Sequence, residues 1–493
     1  MNDASEKGNG KFADTAPVPE STRRSAVALA RREFMTAATA AGVAVATGMP
    51  FAARAETTPA PVAAKTENNP LEKFLSVPGA TITKPVSVGK QSFSKEYVVG
   101  AHQRFNNFHM QMGGDDALYY GLHMPEFLPT AMSMPNVKYK PLEYKLDARV
   151  GALKQKTDSK GELTLDQYVK DPTFRHQGVV MVHKGKVIFE AYPGMNPTDV
   201  HFWASSGKTT VGLVMAQMAE EGKFKEKEPI TTYVPALKGT AWDNDSVLDV
   251  LNHTGALDIE ETGATILNPN SEFVRLVSAG FGATNPATGK IDDPVAVLRE
   301  VKPLKNEKPG EINRYSSLNT YVLTMMIENI EGKPWAAVFQ ERVWSKVNGR
   351  MPLMFAVDPT SRALPFGLTS SALPDMARFA ALFTPSWKAV SEEQIVTPKM
   401  LKRIRAAGSP EAFAKGDKYN STSFGGEKAL TMGYHFDFIF ADGGMYKGGN
   451  LNQCLYADPE RDFAAVCFSA GTPTTENKMP AYMRKAAKLL AGK

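Results

Sequence analysis

The stretch Phe202-Trp203-Ala204-Ser205-Ser206-Gly207-Lys208-Thr209-Thr210 admits two competing readings. A phosphate-binding loop needs a glycine five residues before Gly207-Lys208-Thr209, so that the backbone can curl its N–H groups around the phosphates. Phe202 holds that position and the stretch has no other glycine, which argues against ATP or GTP binding. The other reading is Ser-x-x-Lys. Helical residues three apart share a face, so the amine of Lys208 can reach the hydroxyl of Ser205, and a desolvated lysine with a lowered pKa can take its proton. The N-terminus of a helix also favours developing negative charge. The tetrad alone is weak evidence: Ser92 and Lys95 match it in a segment with no helical continuation. A serine in the position of Ser205 could equally serve as a helix cap.

Context decides between them. Upstream, Val179–His183 and Val187–Tyr192 are β-rich runs around Lys184-Gly185-Lys186, a hairpin pattern. From Ser205 to Glu221, Val211, Val214, Met215 and Met218 recur at helical spacing, and Gly222 is suited to end the helix. Residues 230–380 carry further helical patterns, including Thr320–Glu331 and Pro374–Phe383, and read as a mainly helical insertion. Near the end, Asn452–Ala457 and Phe463–Ser469 read as strands around a turn, and Ala481–Ala491 as a closing helix. Strands at both ends with helices between them predict an α+β fold: one antiparallel sheet completed by distant segments and flanked by helices.

Taken together, these segments resemble the serine β-lactamase and penicillin-binding superfamily, in particular its class C, esterase and 6-aminohexanoate-dimer hydrolase branch. The likeness runs from about residue 175 to 490. It includes the hairpin, the Ser-x-x-Lys helix through Phe224, and Val247-Leu248-Asp249-Val250-Leu251-Asn252-His253-Thr254-Gly255, similar to a pocket-wall segment. Tyr315-Ser316-Ser317 stands for the family's Tyr-x-Asn or Tyr-x-Ser motif. Phe366–Ser370 and Asp375–Phe379 resemble its late helix, and Lys447-Gly448-Gly449 its Lys-Thr-Gly motif.

The resemblance implies a β-lactamase/transpeptidase-like fold and a hydrolase in which Ser205 forms an acyl-enzyme. Lys208 and Tyr315 would share the base role, with an ammonium field lowering the phenol pKa. Ser317, Lys447, Gly448, Gly449 and Asn452 would bind substrate, and the backbone N–H groups of Ser205 and of Leu451 or Asn452 would hold the oxyanion. Ser317 stands where many relatives have Asn, and Gly448 replaces a Thr or Ser that usually contacts a substrate carboxylate, which points away from efficient β-lactam turnover. The substrate expected is an amide or ester of a small molecule or short peptide, with no cofactor and no metal. The alternative is a penicillin-binding or peptidoglycan-associated protein with slow or no turnover.

Composition narrows the remaining choices. Lys+Arg of 57 against Asp+Glu of 52 leaves a formal +5 with no long basic run, so nucleic acid is not the expected partner. Two cysteines, Cys454 and Cys467, are too few for a disulfide scaffold or a multi-thiolate metal site, and sequence leaves their pairing open. Arg31-Arg32-Glu33-Phe34-Met35, a weakly apolar run to Ala53 and the small-residue site Ala53-Arg54-Ala55 read as a twin-arginine signal over residues 1–55. The expected location is therefore periplasmic or secreted, by way of the Tat export machinery. Residues 56–85 read as a Thr/Pro/Ala tether, 86–145 as an irregular extension, and 146–493 as the catalytic domain. His109, Met110, Met112, His123 and Met124 raise a soft metal as a further question, although their spacing matches no standard site. His253 reads as a structural histidine.

Overall fold

Lys184 (φ 50°) and Gly185 (φ 73°) both adopt the left-handed region, and His183 pairs directly with Lys186 across them. Two central residues of this kind twist the flanking strands in the sense an antiparallel pair requires, so the hairpin closes on a two-residue turn. The computed structural model describes residues 81–491. Those residues belong to one unit, Ala46–Lys493. The signal expected over 1–55, and the tether except for 81–85, lie outside the described residues.

The hairpin sits inside a sheet of β1 (Glu143–Tyr144), β2 (His176–His183), β3 (Lys186–Ala191), β4 (Thr431–Gly433), β5 (Phe436–Ile439), β6 (Met445–Gly449), β7 (Gln453–Asp458) and β8 (Phe463–Ser469). Their order is β4-β5-β6-β7-β8-β2-β3-β1. All neighbours are antiparallel except β1 and β3, which run parallel. Strand side chains alternate between faces, and here both faces are buried. Val180, Val182, Leu455 and Val466 enter one hydrophobic cluster, which also holds Leu373 and Met376 of the helix Leu373–Ala381. Val179, Met181, Tyr456 and Ala465 enter another, with Tyr482 and Met483 of the helix Met479–Ala491. Each fully buried Val or Leu in these layers stabilises the fold by about 1.5–3 kcal/mol. No helix among the described residues is long and apolar enough to cross a membrane.

The stretch 230–380 is less helical than its sequence suggests. It contributes Leu353–Ala356 and Thr369–Ala372 to a second, four-stranded antiparallel sheet, completed by Thr130–Ser133 and Val200–Phe202. Residues 86–145 are not irregular either. They form the helices Lys95–Arg104, Asn107–Met112 and Ala117–Phe127, the first two capped by the side chains of Ser94 and Asn106.

Candidate active site

The second sheet delivers the nucleophile candidate. Its strand Val200–Phe202 ends where the Trp203 N–H donates to the Thr369 carbonyl at 2.7 Å. Ala204 then takes φ 47°, a left-handed conformation unusual for a residue with a Cβ. The chain turns there into a 3₁₀ segment, Ala204–Gly207, and on into the helix Lys208–Glu220. Ser205 therefore does not cap the helix. In a 3₁₀ turn, residues three apart eclipse one another, which stacks Lys208 over Ser205 more directly than an α-turn would.

The Lys208 Nζ lies 3.0 Å from Ser205 Oγ, 2.8 Å from Ser317 Oγ and 2.5 Å from the Phe366 carbonyl. The carbonyl can only accept. A neutral amine has two N–H groups and one lone pair, so donation to Phe366 and Ser317 leaves the lone pair for the Ser205 hydroxyl proton. Burial lowers the Lys208 pKa to about 8, the fields of Glu261 and Asp437 partly opposing it.

Tyr315 immediately precedes Ser316, which caps the helix Ser317–Glu331. Its hydroxyl accepts from Lys447 Nζ at 3.2 Å. Lys447 is fully buried on β6 and also pairs with Asp437 Oδ1 of β5 at 2.8 Å. The same Asp437 oxygen meets Lys418 Nζ at 3.1 Å, and its other oxygen accepts the Gly448 N–H at 3.1 Å. The two ammonium groups hold the Asp437 carboxyl below its usual range against the opposing effect of burial. Lys418 lies 4.1 Å and Lys447 4.5 Å from the centre of the Tyr315 ring. The expected lowering of the phenol pKa is nevertheless reversed: burial, then the charges of Glu261 and Asp437, push Tyr315 well above its ordinary value. Tyr315 therefore stays protonated, and the group suited to accept a proton near neutrality is Lys208.

A cavity of about 340 Å³ opens on this cluster, lined among others by Ser205, Glu261, Tyr315, Ser317, Lys418, Asp437, Gly448, Gly449 and Asn450. Gly449 has a steric reason: a Cβ there would stand 2.7 Å from the Trp203 carbonyl, so β6 runs in backbone contact with the nucleophile turn. The Ser206 hydroxyl adds a bond to the Lys447 carbonyl at 3.3 Å.

Three expectations need correction. Asn452 points away from the cavity wall, its amide donating to the Thr475 carbonyl at 3.1 Å. Leu451 is buried, its N–H donates to Asn450 Oδ1 at 3.0 Å, and the residue past β6 that lines the cavity is Asn450 rather than Leu451 or Asn452. Lys447 does not line the cavity but lies behind Tyr315.

Asp437, Lys418 and Glu261 were missed. Asp437 had a faint signal, a carboxylate between Phe436 and Phe438 in a strand-like run. Lys418 and Glu261 come from loops with no local motif. Glu261 Oε1 accepts the Ser317 N–H, and its own N–H donates to the Tyr315 carbonyl at 2.9 Å.

His253 holds the wall rather than facing substrate. Its Nδ1 accepts from the Ser316 N–H at 3.3 Å and from Asn319 Nδ2 at 3.0 Å, so its Nε2–H donates to His435 Nδ1 at 2.9 Å. Burial keeps both rings neutral. Cys454 and Cys467 face one another across β7 and β8 as buried thiols. The His/Met residues of the extension do not converge: His109 Nδ1 meets Asn106, His123 Nδ1 meets Glu126 at 2.7 Å, and Met110 lines the cavity. Among the described residues, no group of three or more His, Cys, Asp or Glu side chains is arranged to hold a metal ion.

Comparison with known proteins bears on both the fold and this site. The family model described as Beta-lactamase matches residues 164–488. A 6-aminohexanoate-dimer hydrolase from Paenarthrobacter ureafaciens is 26% identical over 297 residues, covering 59% of this chain and 71% of that protein. A solved structure from Bacillus anthracis, provisionally described as a 6-aminohexanoate-dimer hydrolase, aligns with a TM-score of 0.63 at 20% identity, covering 76% of this chain and 94% of that one.

Proposed function

The chain belongs to the beta-lactamase family, and from that premise we propose that it is a periplasmic serine hydrolase cleaving an amide or ester of a small molecule or short peptide through an acyl-enzyme on Ser205. One observation carries this reading: a buried amine, lowered to about 8, donates to the Phe366 carbonyl, Ser317 Oγ and Ser205 Oγ, so that on losing one proton it can keep the first two bonds and turn a lone pair to the Ser205 hydroxyl. The name of the curated relative, a 6-aminohexanoate-dimer hydrolase, supports a linear amide as one substrate to try.

Ser205 Oγ attacks the carbonyl as its proton passes to Lys208 Nζ. The oxyanion is held by the backbone N–H groups of Ser205 and Asn450. Tyr315 donates its hydroxyl proton to the departing nitrogen or oxygen, and the proton gained by Lys208 restores the phenol. Water then attacks the acyl carbon as its proton passes to Lys208, the carbon–Oγ bond breaks, and Ser205 Oγ takes that proton back as the acid leaves. Lys447 and Asp437 position Tyr315 from behind. Glu261 and Lys418, one acidic and one basic, put charge of each sign beside the reacting bond.

Nitrophenyl esters, nitrocefin, D-amino-acid amides and linear amide oligomers, assayed against native and Ser205→Ala protein, test the reading. Every activity found in the native protein should vanish in the variant; turnover that survives in it contradicts the assignment. Export is tested separately. Replacing both Arg31 and Arg32 with lysine is expected to retain the protein in the cytoplasmic fraction, and an unchanged periplasmic yield would rule out the twin-arginine route.

A further inference from the structure

The family match begins at residue 164, yet one wall of the cavity comes from before it. Met110 and Gln111 of the helix Asn107–Met112 both line the cavity. That helix is fastened where the chemistry occurs: Asn450 Nδ2 donates to the Gln111 carbonyl at 2.7 Å and to Gln111 Oε1 at 2.8 Å. From the other side, the Tyr120 hydroxyl donates to the His109 carbonyl at 2.8 Å. The helix also touches the helix Glu272–Gly280, whose Phe273 and Val277 are buried and line the same cavity. With Ile266, Phe366 and Leu368, Met110 therefore completes an apolar lining made of three separate parts of the chain.

We propose that the N-terminal segment is a specificity element: Met110 forms the floor of a subsite for an aliphatic acyl chain, and the Gln111–Asn450 clamp fixes that floor relative to the oxyanion donors. The inference rests on the acyl-enzyme reading. If Tyr315 protonates the leaving atom, that atom faces Tyr315, and the other substituent of the carbonyl carbon is free to enter the apolar lining. A flexible thioether can adjust to an unbranched chain, and this lining presents no charged partner to such a chain.

The test compares kcat/KM for nitrophenyl acetate, butyrate, hexanoate and octanoate in native, Met110→Ala and Met110→Trp proteins. Filling the floor should lower the hexanoate-to-acetate ratio by about tenfold or more, the scale at which one or two methylenes are discriminated in an apolar pocket. Opening it should shift the preference toward octanoate. Ratios within about twofold of native in both variants overturn the proposal.

A second arm needs no turnover. In Ser205→Ala protein, hexanamide binding is measured by calorimetry with and without Met110→Trp. Weakening by about tenfold or more supports the subsite. An unchanged Kd, or no hexanamide binding by Ser205→Ala protein, overturns it. Hexanamide binding that depends on Met110 in a protein that turns over no ester or amide would refute the hydrolase reading alone.

Discussion

Replacing Lys208 with methionine is expected to lower kcat/KM by about 10²–10⁴-fold, the contribution typical of a positioned general base, without lowering the melting temperature. The two halves of this result have one cause. The amine is fully buried and its pKa is lowered from 10.5 to about 8. Below pH 8 it is protonated in both the folded and the unfolded chain, and burying that charge costs the native state about 3 kcal/mol. Between pH 8 and 10.5 the unfolded chain binds a proton that the folded one does not, so stability rises with pH and the penalty disappears. Methionine is of similar length and carries no charge, so it removes the cost at pH 7 while leaving the Phe366 carbonyl without a donor, a loss of about 1–3 kcal/mol. These opposing terms nearly cancel, whereas nothing offsets the lost base. In the native enzyme, kcat/KM should rise with pH through about 8 as the amine deprotonates, and that limb should be absent in Lys208→Met. A native profile flat from pH 6 to 9, or a variant that keeps the limb, would remove Lys208 from the base role.

Asp437→Ala is expected to destabilise the protein by about 3–5 kcal/mol and to abolish most activity, because it strands a buried cation. Lys447 is fully buried, burial pulls its pKa well below the usual lysine range, and the Asp437 carboxylate at 2.8 Å is the group that opposes this and favours the ammonium. Without that carboxylate, Lys447 must give up its proton or draw in water, and either change disturbs the 3.2 Å contact to Tyr315. Combining Asp437→Ala with Lys447→Met should recover most of the lost stability but little of the activity, since both charges are then gone along with the support behind the phenol. Denaturant titration of the two singles and the double separates these terms. A fully additive double would mean that the two groups do not act as a pair. The Asp437 carboxyl is held below its usual range, so its contribution is present at neutral pH and is lost as pH falls through its folded value. Asp437→Ala lacks this acid-sensitive contribution, so its stability should fall less steeply than that of the native protein below about pH 4, from a lower starting value.

What could be read from the sequence was local. The hairpin His176–Ala191, the helix Lys208–Glu220 and the strand pair Gln453–Ser469 each fold on contacts a few residues apart, so periodicity and turn chemistry expose them. The second sheet was hidden because its strands are three or four residues long and two of its three pairings span more than a hundred residues, as Ser370 with Phe202 does. In the extension, the helix Asn107–Met112 was hidden because its buried face includes Asn107 and His109, which break an apolar stripe, and Lys95–Arg104 because it buries only Ala101. The site divides in the same way. Ser205 and Lys208 share one turn and could be paired in advance. Tyr315 is raised by burial and then by Glu261 and Asp437, and Lys447 is lowered by burial against the field of Asp437; burial in the assembled site and partners brought in by the sheet and loops leave no local pattern. That is why the phenol was expected to be lowered, while the structure holds it raised.

The most direct test of the serine mechanism is the mass of the protein quenched in acid during steady turnover of a nitrophenyl ester, followed by peptide mapping. The acyl mass should appear on the peptide containing Ser205 and be absent from Ser205→Ala. Turnover with no adduct at any quench time, or an adduct on a different residue, would contradict it.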